Sequence, residues 1–173
     1  MGLKRENVTI CDIGGVIHTG RNDLDPYRAR YAQATDARTK IIFLCSPNNP
    51  TSNRLSGDTI RQVLSDFKGI VVLDEAYIDF SPEPGFLPSL NAHPNLVILQ
   101  TLSKAWGLAG IRLGMAFADA RIIKVLSKIK YPYNVNGLTQ ELALSALERS
   151  AEKDRMVTEL RTERERLADS LKE

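Results

Sequence analysis

The sequence predicts an α/β fold built on a mostly parallel sheet, from three observations. Four strand-length apolar runs, at residues 41–45, 70–73, 96–99 and 114–118, punctuate the middle of the chain. The second and third are rich in Val, Ile and Leu without alternation, as in strands covered on both faces. Between the first two runs, Ile60, Val63, Leu64 and Phe67 follow the i, i+3, i+4, i+7 spacing of an amphipathic helix. Strand, helix and strand in that order make a parallel crossover unit.

The flanking residues support each element in turn. Ser56, Gly57 and Asp58 are suited to cap the first helix, and Gly69 to stop it. After the fourth run, Asp119 is a candidate cap for a helix with Ile122, Ile123, Leu126 and Ile129 facing inward, ended by Pro132. Leu138, Leu142, Ala146 and Arg149 then open another helix. From Lys153 onward the chain is highly charged, with Met156, Leu160, Leu167 and Leu171 as a narrow apolar seam. A solvated helix with one buried stripe is expected there. Its charges are mixed in sign, which argues against a membrane-surface helix. Near the start, 8–13 is predicted to be a strand, turned by Gly14-Gly15.

Composition narrows the function classes. The chain has 173 residues, 43% hydrophobic and 25% charged, ordinary values for one globular domain with a core. A net charge of +2, with acids and bases interleaved, gives no reason to expect nucleic acid as a partner. Cys11 and Cys45 show no framework spacing, no apolar run follows the first basic residues, and no stretch approaches a spanning helix. A cytoplasmic, membrane-free protein is expected.

The chemistry concentrates in three loops, each directly after a strand. The first is Ser46-Pro47-Asn48-Asn49-Pro50-Thr51, the second Asp74-Glu75-Ala76-Tyr77, and the third Thr101-Leu102-Ser103-Lys104, with Arg112 a little further on. Open α/β sheets bind ligands outside the carboxyl ends of their strands. Singly, an Asn-Pro loop is a turn, an Asp after a strand a cap, and a Lys a solvated charge. Their joint occurrence in this order points to a site.

Together these motifs resemble fold-type I pyridoxal-phosphate aminotransferases. The wording of Ser46–Thr51, of Val-Leu-Asp-Glu-Ala-Tyr-Ile-Asp-Phe from Val72, and of Thr-Leu-Ser-Lys-Ala-Trp-Gly-Leu-Ala-Gly-Ile-Arg-Leu-Gly from Thr101 is especially similar to histidinol-phosphate aminotransferases. Pro132-Tyr133-Asn134-Val135-Asn136 is a further phrase of that kind. The resemblance runs from about Asp23 to Glu173 and is densest from Lys40 to Gln140. It implies a three-layer αβα domain with part of the family's sheet, pyridoxal 5'-phosphate as cofactor, and a homodimer.

The resemblance also implies roles. Lys104 matches the lysine that holds the cofactor as a Schiff base and then acts as the proton-transferring base. Asp74 matches the carboxylate that keeps the ring nitrogen protonated, so that the ring can serve as an electron sink. Asn49 and Tyr77 match the partners of the cofactor's phenolic oxygen. Thr101, Ser103 and Arg112 match its phosphate contacts. One departure is Ser52, where the family motif usually continues with Gly; serine cannot adopt positive φ without cost. Another is length, because family members are much longer and their substrate-selecting segments have no counterpart here.

Competing motifs fall away. His18 and His93 lack partners at ligand spacing, so no metal is expected. Gly107-Leu108-Ala109-Gly110 matches neither a Walker A loop nor G-x-G-x-x-G. The run from Cys11 to Ile17 faintly resembles the nucleophile loop of haloacid-dehalogenase-like phosphatases, but Gly14 stands where the second Asp is required. The chain is therefore expected to divide into a lead without family match (1–22), a partial cofactor-binding domain (23–150) and a charged helix leading toward an absent small domain (151–173). Two readings remain open at this level. One is transamination between L-histidinol phosphate and 2-oxoglutarate, or a related amino-acid transaminase or phosphothreonine decarboxylase. The other is a non-catalytic fragment that binds cofactor or a partner.

Overall fold

The computed structural model describes residues 35–172. The expected strand at 8–13, His18 and the whole 1–22 lead lie outside them. The described residues form a mixed α/β structure around a four-stranded sheet: β1 (Ile41–Cys45), β2 (Ile70–Asp74), β3 (Leu96–Thr101) and β4 (Gly114–Ala118), in that spatial order. β1, β2 and β3 run parallel, and β4 returns antiparallel to β3.

Register decides which side chains share a face. Ile42 pairs with Val71 and Val71 with Leu96, while Leu44 pairs with Leu73 and Leu73 with Ile98. These six residues lie on one side and are all buried. Helix α1 (Gly57–Asp66) covers them with Ile60, Val63 and Leu64, and Phe67 completes the core just beyond its end. Burying a Leu, Ile or Val side chain of this kind contributes about 1.5–3 kcal/mol. The Ser56 side chain caps α1 by accepting from Thr59 N–H at 3.1 Å. At the other end, Asn95 Nδ2 donates to the carbonyls of Leu64, Phe67 and Gly69 and ties the helix exit to the start of β3. On the opposite face Val72 and Val97 are also buried, as expected for inner strands, whereas Phe43 on β1 is 67% exposed.

Three helices follow: α2 (Ala120–Ile129), α3 (Gly137–Glu148) and α4 (Ser150–Ser170). Their expected inward stripes are offset. In α2, which contacts β4, only Ile122 and Ile123 are half-buried; Leu126 and Ile129 are exposed. Burial fades toward the end of this helix as it leaves the sheet. In α3 the buried positions are Thr139 and Ala143, four residues apart, rather than Leu138 and Leu142. The seam expected in α4 is exposed at Met156, Leu160, Leu167 and Leu171. Its least exposed positions are instead Lys153, Val157 and Arg161, one helical face at i, i+4 and i+8. Few apolar residues mark this helix, so the neighbour it leans on decides its inner face.

Candidate active site

The parallel sheet gathers the three motif loops at one end, since each leaves the carboxyl end of its strand. Side-chain alternation then sorts them by face. Asp74 continues the face of Val72 and, with Ala76, Leu99 and Thr101, lines an open cleft of about 400 Å³ whose far wall is the start of β4. Its Oδ1 accepts from Ala76 N–H at 2.9 Å, which holds the carboxylate at the strand end and leaves the second oxygen's acceptor capacity.

The first loop is built around Ser46, which is buried and accepts from Leu55 N–H at 3.1 Å. Asn48 N–H donates to the Asn53 carbonyl at 2.9 Å, and Ser52 N–H to the Asn48 carbonyl at 2.7 Å. Closing this tight loop puts Ser52 at φ 58, the left-handed region. The turn presents Asn49, whose Nδ2 donates to Tyr77 Oη at 3.0 Å. Lys104 Nζ lies 5.1 Å from the centre of the Tyr77 ring. Asn49, Tyr77 and Lys104, from three separate loops, thus meet at one place.

A second group forms around Thr101. Its hydroxyl lies 2.9 Å from Ser103 Oγ and 3.1 Å from the Leu113 carbonyl, and it accepts from Ser103 N–H at 3.1 Å. Arg112 follows a short turn at φ 56. Its guanidinium bends back to donate to the Ala109 carbonyl at 2.9 Å rather than reaching Thr101 or Ser103. The turn is held from α3, where Thr139 Oγ1 donates to the Ile111 carbonyl at 3.3 Å.

Sequence reasoning assigned nothing to Glu75. It is 2% exposed and accepts from Phe86 N–H at 2.7 Å and from Gln100 Nε2 at 3.0 Å. It sits one residue after Asp74 and on the other face, as Gln100 does before Thr101. This pair locks the ends of β2 and β3 together from behind the cleft. Gly85 is required alongside, because a Cβ there would lie 2.5 Å from Glu75 Oε2. Alternation was the available signal: a residue following a Leu-Asp strand end must face the core.

The donor set fits a phosphorylated pyridine cofactor. The Asp74 carboxylate and the Thr101 hydroxyl line the cleft, and a primary amine, a hydrogen-bonded amide–phenol pair and a second hydroxyl stand on the same three loops.

Comparison with known proteins agrees. The profile of aminotransferase class I and II matches residues 8–173. The chain belongs to this family. It is 60% identical over 141 residues to histidinol-phosphate aminotransferase of Parabacteroides distasonis, covering 82% of this chain and 41% of that protein. The same enzyme of Cytophaga hutchinsonii is 49% identical over 166 residues, covering 90% and 48%. The chain therefore spans less than half the length of these curated relatives. Among solved structures, L-threonine-O-3-phosphate decarboxylase of Porphyromonas gingivalis superposes with a TM-score of 0.65 at 29% identity, over 71% of this chain and 38% of that one. Histidinol-phosphate aminotransferase of Sinorhizobium meliloti in complex with pyridoxal-5'-phosphate superposes with a TM-score of 0.72 at 24% identity, over 84% and 40%, a likeness of fold.

Proposed function

We propose that this chain carries the pyridoxal-phosphate site of a histidinol-phosphate aminotransferase, which moves an amino group from L-histidinol phosphate to 2-oxoglutarate in histidine biosynthesis. The observation that carries the substrate assignment is the 60% identity to the Parabacteroides distasonis enzyme, against 29% to the structurally similar phosphothreonine decarboxylase.

When bound, the cofactor supplies an electron sink for the carbanion left at the substrate's Cα. Lys104 would hold the cofactor through Nζ and would move the proton at the substrate's Cα. The Asp74 carboxylate holds the proton on the ring nitrogen, because an adjacent negative charge favours the cationic ring. Asn49 and Tyr77, joined at 3.0 Å, would hydrogen-bond the phenolic oxygen. Thr101, Ser103 and Arg112 would hold the phosphate, the Arg112 guanidinium giving up its bond to the Ala109 carbonyl. Under this reading the partial cofactor-binding domain is assigned to 23–150 and the charged helix to 151–173.

Under the same reading the protein is a cytoplasmic homodimer whose partners are a small amino donor and a 2-oxo acid. No helix among the described residues is long and apolar enough to cross a membrane. The exposed Val125, Ile129, Tyr131 and Tyr133 offer apolar surface for association. Sedimentation equilibrium at micromolar concentration reads the assembly. A dimer is expected, and a 19.2 kDa monomer that binds the cofactor tightly contradicts it.

The activity is tested by supplying the cofactor-loaded chain with L-histidinol phosphate and 2-oxoglutarate and assaying glutamate. Glutamate formation is expected, with no carbon dioxide released from O-phosphothreonine. Turnover with other amino donors alone contradicts the substrate assignment. Binding without any turnover identifies the non-catalytic reading as the right one for this chain.

A further inference from the structure

One lysine far along the chain touches both arms of the site. Lys153 lies in the first turn of α4, with its side chain only 14% exposed. Its Nζ is 3.0 Å from Asp79 Oδ1 and 2.6 Å from Asp154 Oδ1. It also stands 5.2 Å from the centre of the Trp106 ring, within range of a cation–π contact. Partial burial pulls the Lys153 ammonium toward a lower pKa, but the hydrogen bonds it donates to Asp154 and Asp79 outweigh it and hold the ammonium above its ordinary range.

The partners give this cluster its meaning. Asp79 is two residues after Tyr77, in the short helical turn Ile78–Phe80, and Trp106 is two residues after Lys104. Lys104 in turn stands over the Tyr77 ring. The contacts therefore close a circuit: Lys104 to Tyr77, along the chain to Asp79, across to Lys153, on to Trp106, and back along the chain to Lys104. Two loops that β2 and β3 deliver separately are clamped by one ammonium from a helix outside the sheet. An ammonium suits the position because one end of the clamp is a carboxylate and the other an aromatic face.

We propose that Lys153 is a positioning residue for the site, setting the placement of Lys104 against Tyr77 through Trp106 and Asp79. The inference rests on the reading of Lys104 and Tyr77 as site residues, and it gives α4 a part in the chemistry that its charged, solvated sequence conceals.

The test uses the whole chain without cofactor. Trp106 is the single tryptophan, so its emission reports the Lys153 contact directly. Competitive acetylation, read by peptide mass spectrometry as the rate at Lys104 relative to exposed Lys124, reports the placement of Lys104. Lys153→Met is expected to shift the emission and to change the Lys104 ratio by about threefold or more, the scale of losing one cation–π or partly buried ionic contact. Lys153→Arg keeps a cation for both partners and is expected to restore both readouts. Asp79→Asn cuts the same bridge from the other side and is expected to act on the ratio in the same direction, a check that holds if Lys153→Met proves poorly folded by circular dichroism. An unchanged Lys104 ratio in the folded variants overturns the proposal, whether or not the emission moves. Borohydride fixation of pyridoxal phosphate to the parent chain reports separately on the cofactor reading. If the ratio moves but the parent forms no adduct, the clamp stands and the cofactor assignment fails.

Discussion

The sheet and the helices that follow it both carry large apolar residues, but their environments differ. In the sheet, Leu73, Leu96 and Ile98 are fully buried, and partners in register hold them on one face under α1. In the helices, Leu126, Leu138, Leu142 and Leu160 are exposed, and Ile129 is 76% exposed. The site follows the first region: its loops start from strands whose positions are fixed on several sides. Among the described residues the helices reach it at a few points, Thr139 on the Ile111 carbonyl and Lys153 on Asp79 and Trp106. Rigid placement comes from the sheet, and fine placement from a few polar contacts made by helices whose apolar faces look outward.

The largest expected effect breaks this contrast at its centre. Leu73→Ala removes a fully buried side chain between three strands and should lower the unfolding free energy by about 3–5 kcal/mol, whereas Ile129→Ala should change it by less than about 0.5 kcal/mol. Urea midpoints of the two variants measure the difference; equal losses would mean that α2 is packed as the sheet is.

Glu75→Ala comes next. It strips the acceptor from Phe86 N–H and Gln100 Nε2 behind the cleft, with an expected loss of about 2 kcal/mol, and should also loosen cofactor binding at Asp74. Denaturation together with a cofactor titration checks both effects.

Smaller still is the pH response of α2. Asp119 caps this helix, and its carboxylate is held below the ordinary range first by the Arg121 side chain and then by the Arg121 backbone N–H. The folded pKa is depressed, so the capping contribution is present above the unfolded value of 3.8 and is lost as pH falls through the folded one. Asp119→Asn keeps a capping oxygen but should flatten this acid limb in helical circular dichroism. An unchanged limb would show that the charge adds nothing to the cap.

The smallest effect is a gain. Ser52 holds φ 58, where a Cβ is strained, and Ser52→Gly should stabilise the chain by about 0.5–1 kcal/mol after glycine's own entropy loss. A fall in the thermal midpoint would mean that the serine hydroxyl matters more than the backbone.

Much of this was legible in the residues. Strand runs, the Ser56 and Asp119 caps and the three loops announce themselves through local chemistry, which a linear sequence records directly. The cost at Ser52 was readable too, from the glycine usually found at that place. The inner faces of α2, α3 and α4 were not, because each is set by the neighbour against which the helix docks. Met156 and Leu160 look more like core residues than Lys153 does, yet the helix rests on the side of Lys153 and Val157. Arg112 shows a further limit, since the resemblance implies a phosphate ligand there but not the Ala109 carbonyl to which its guanidinium donates.

The central claim is that the loops after β1, β2 and β3 assemble one cofactor site with Lys104 as its attachment point. Incubating the chain with pyridoxal phosphate, reducing with borohydride and mapping the labelled peptides tests it directly. The account predicts one dominant adduct, on Lys104, abolished in Lys104→Ala and sharply diminished when Asn49 and Tyr77 are both replaced. Label spread evenly over exposed lysines such as Lys68, Lys124, Lys128 and Lys172 would contradict it.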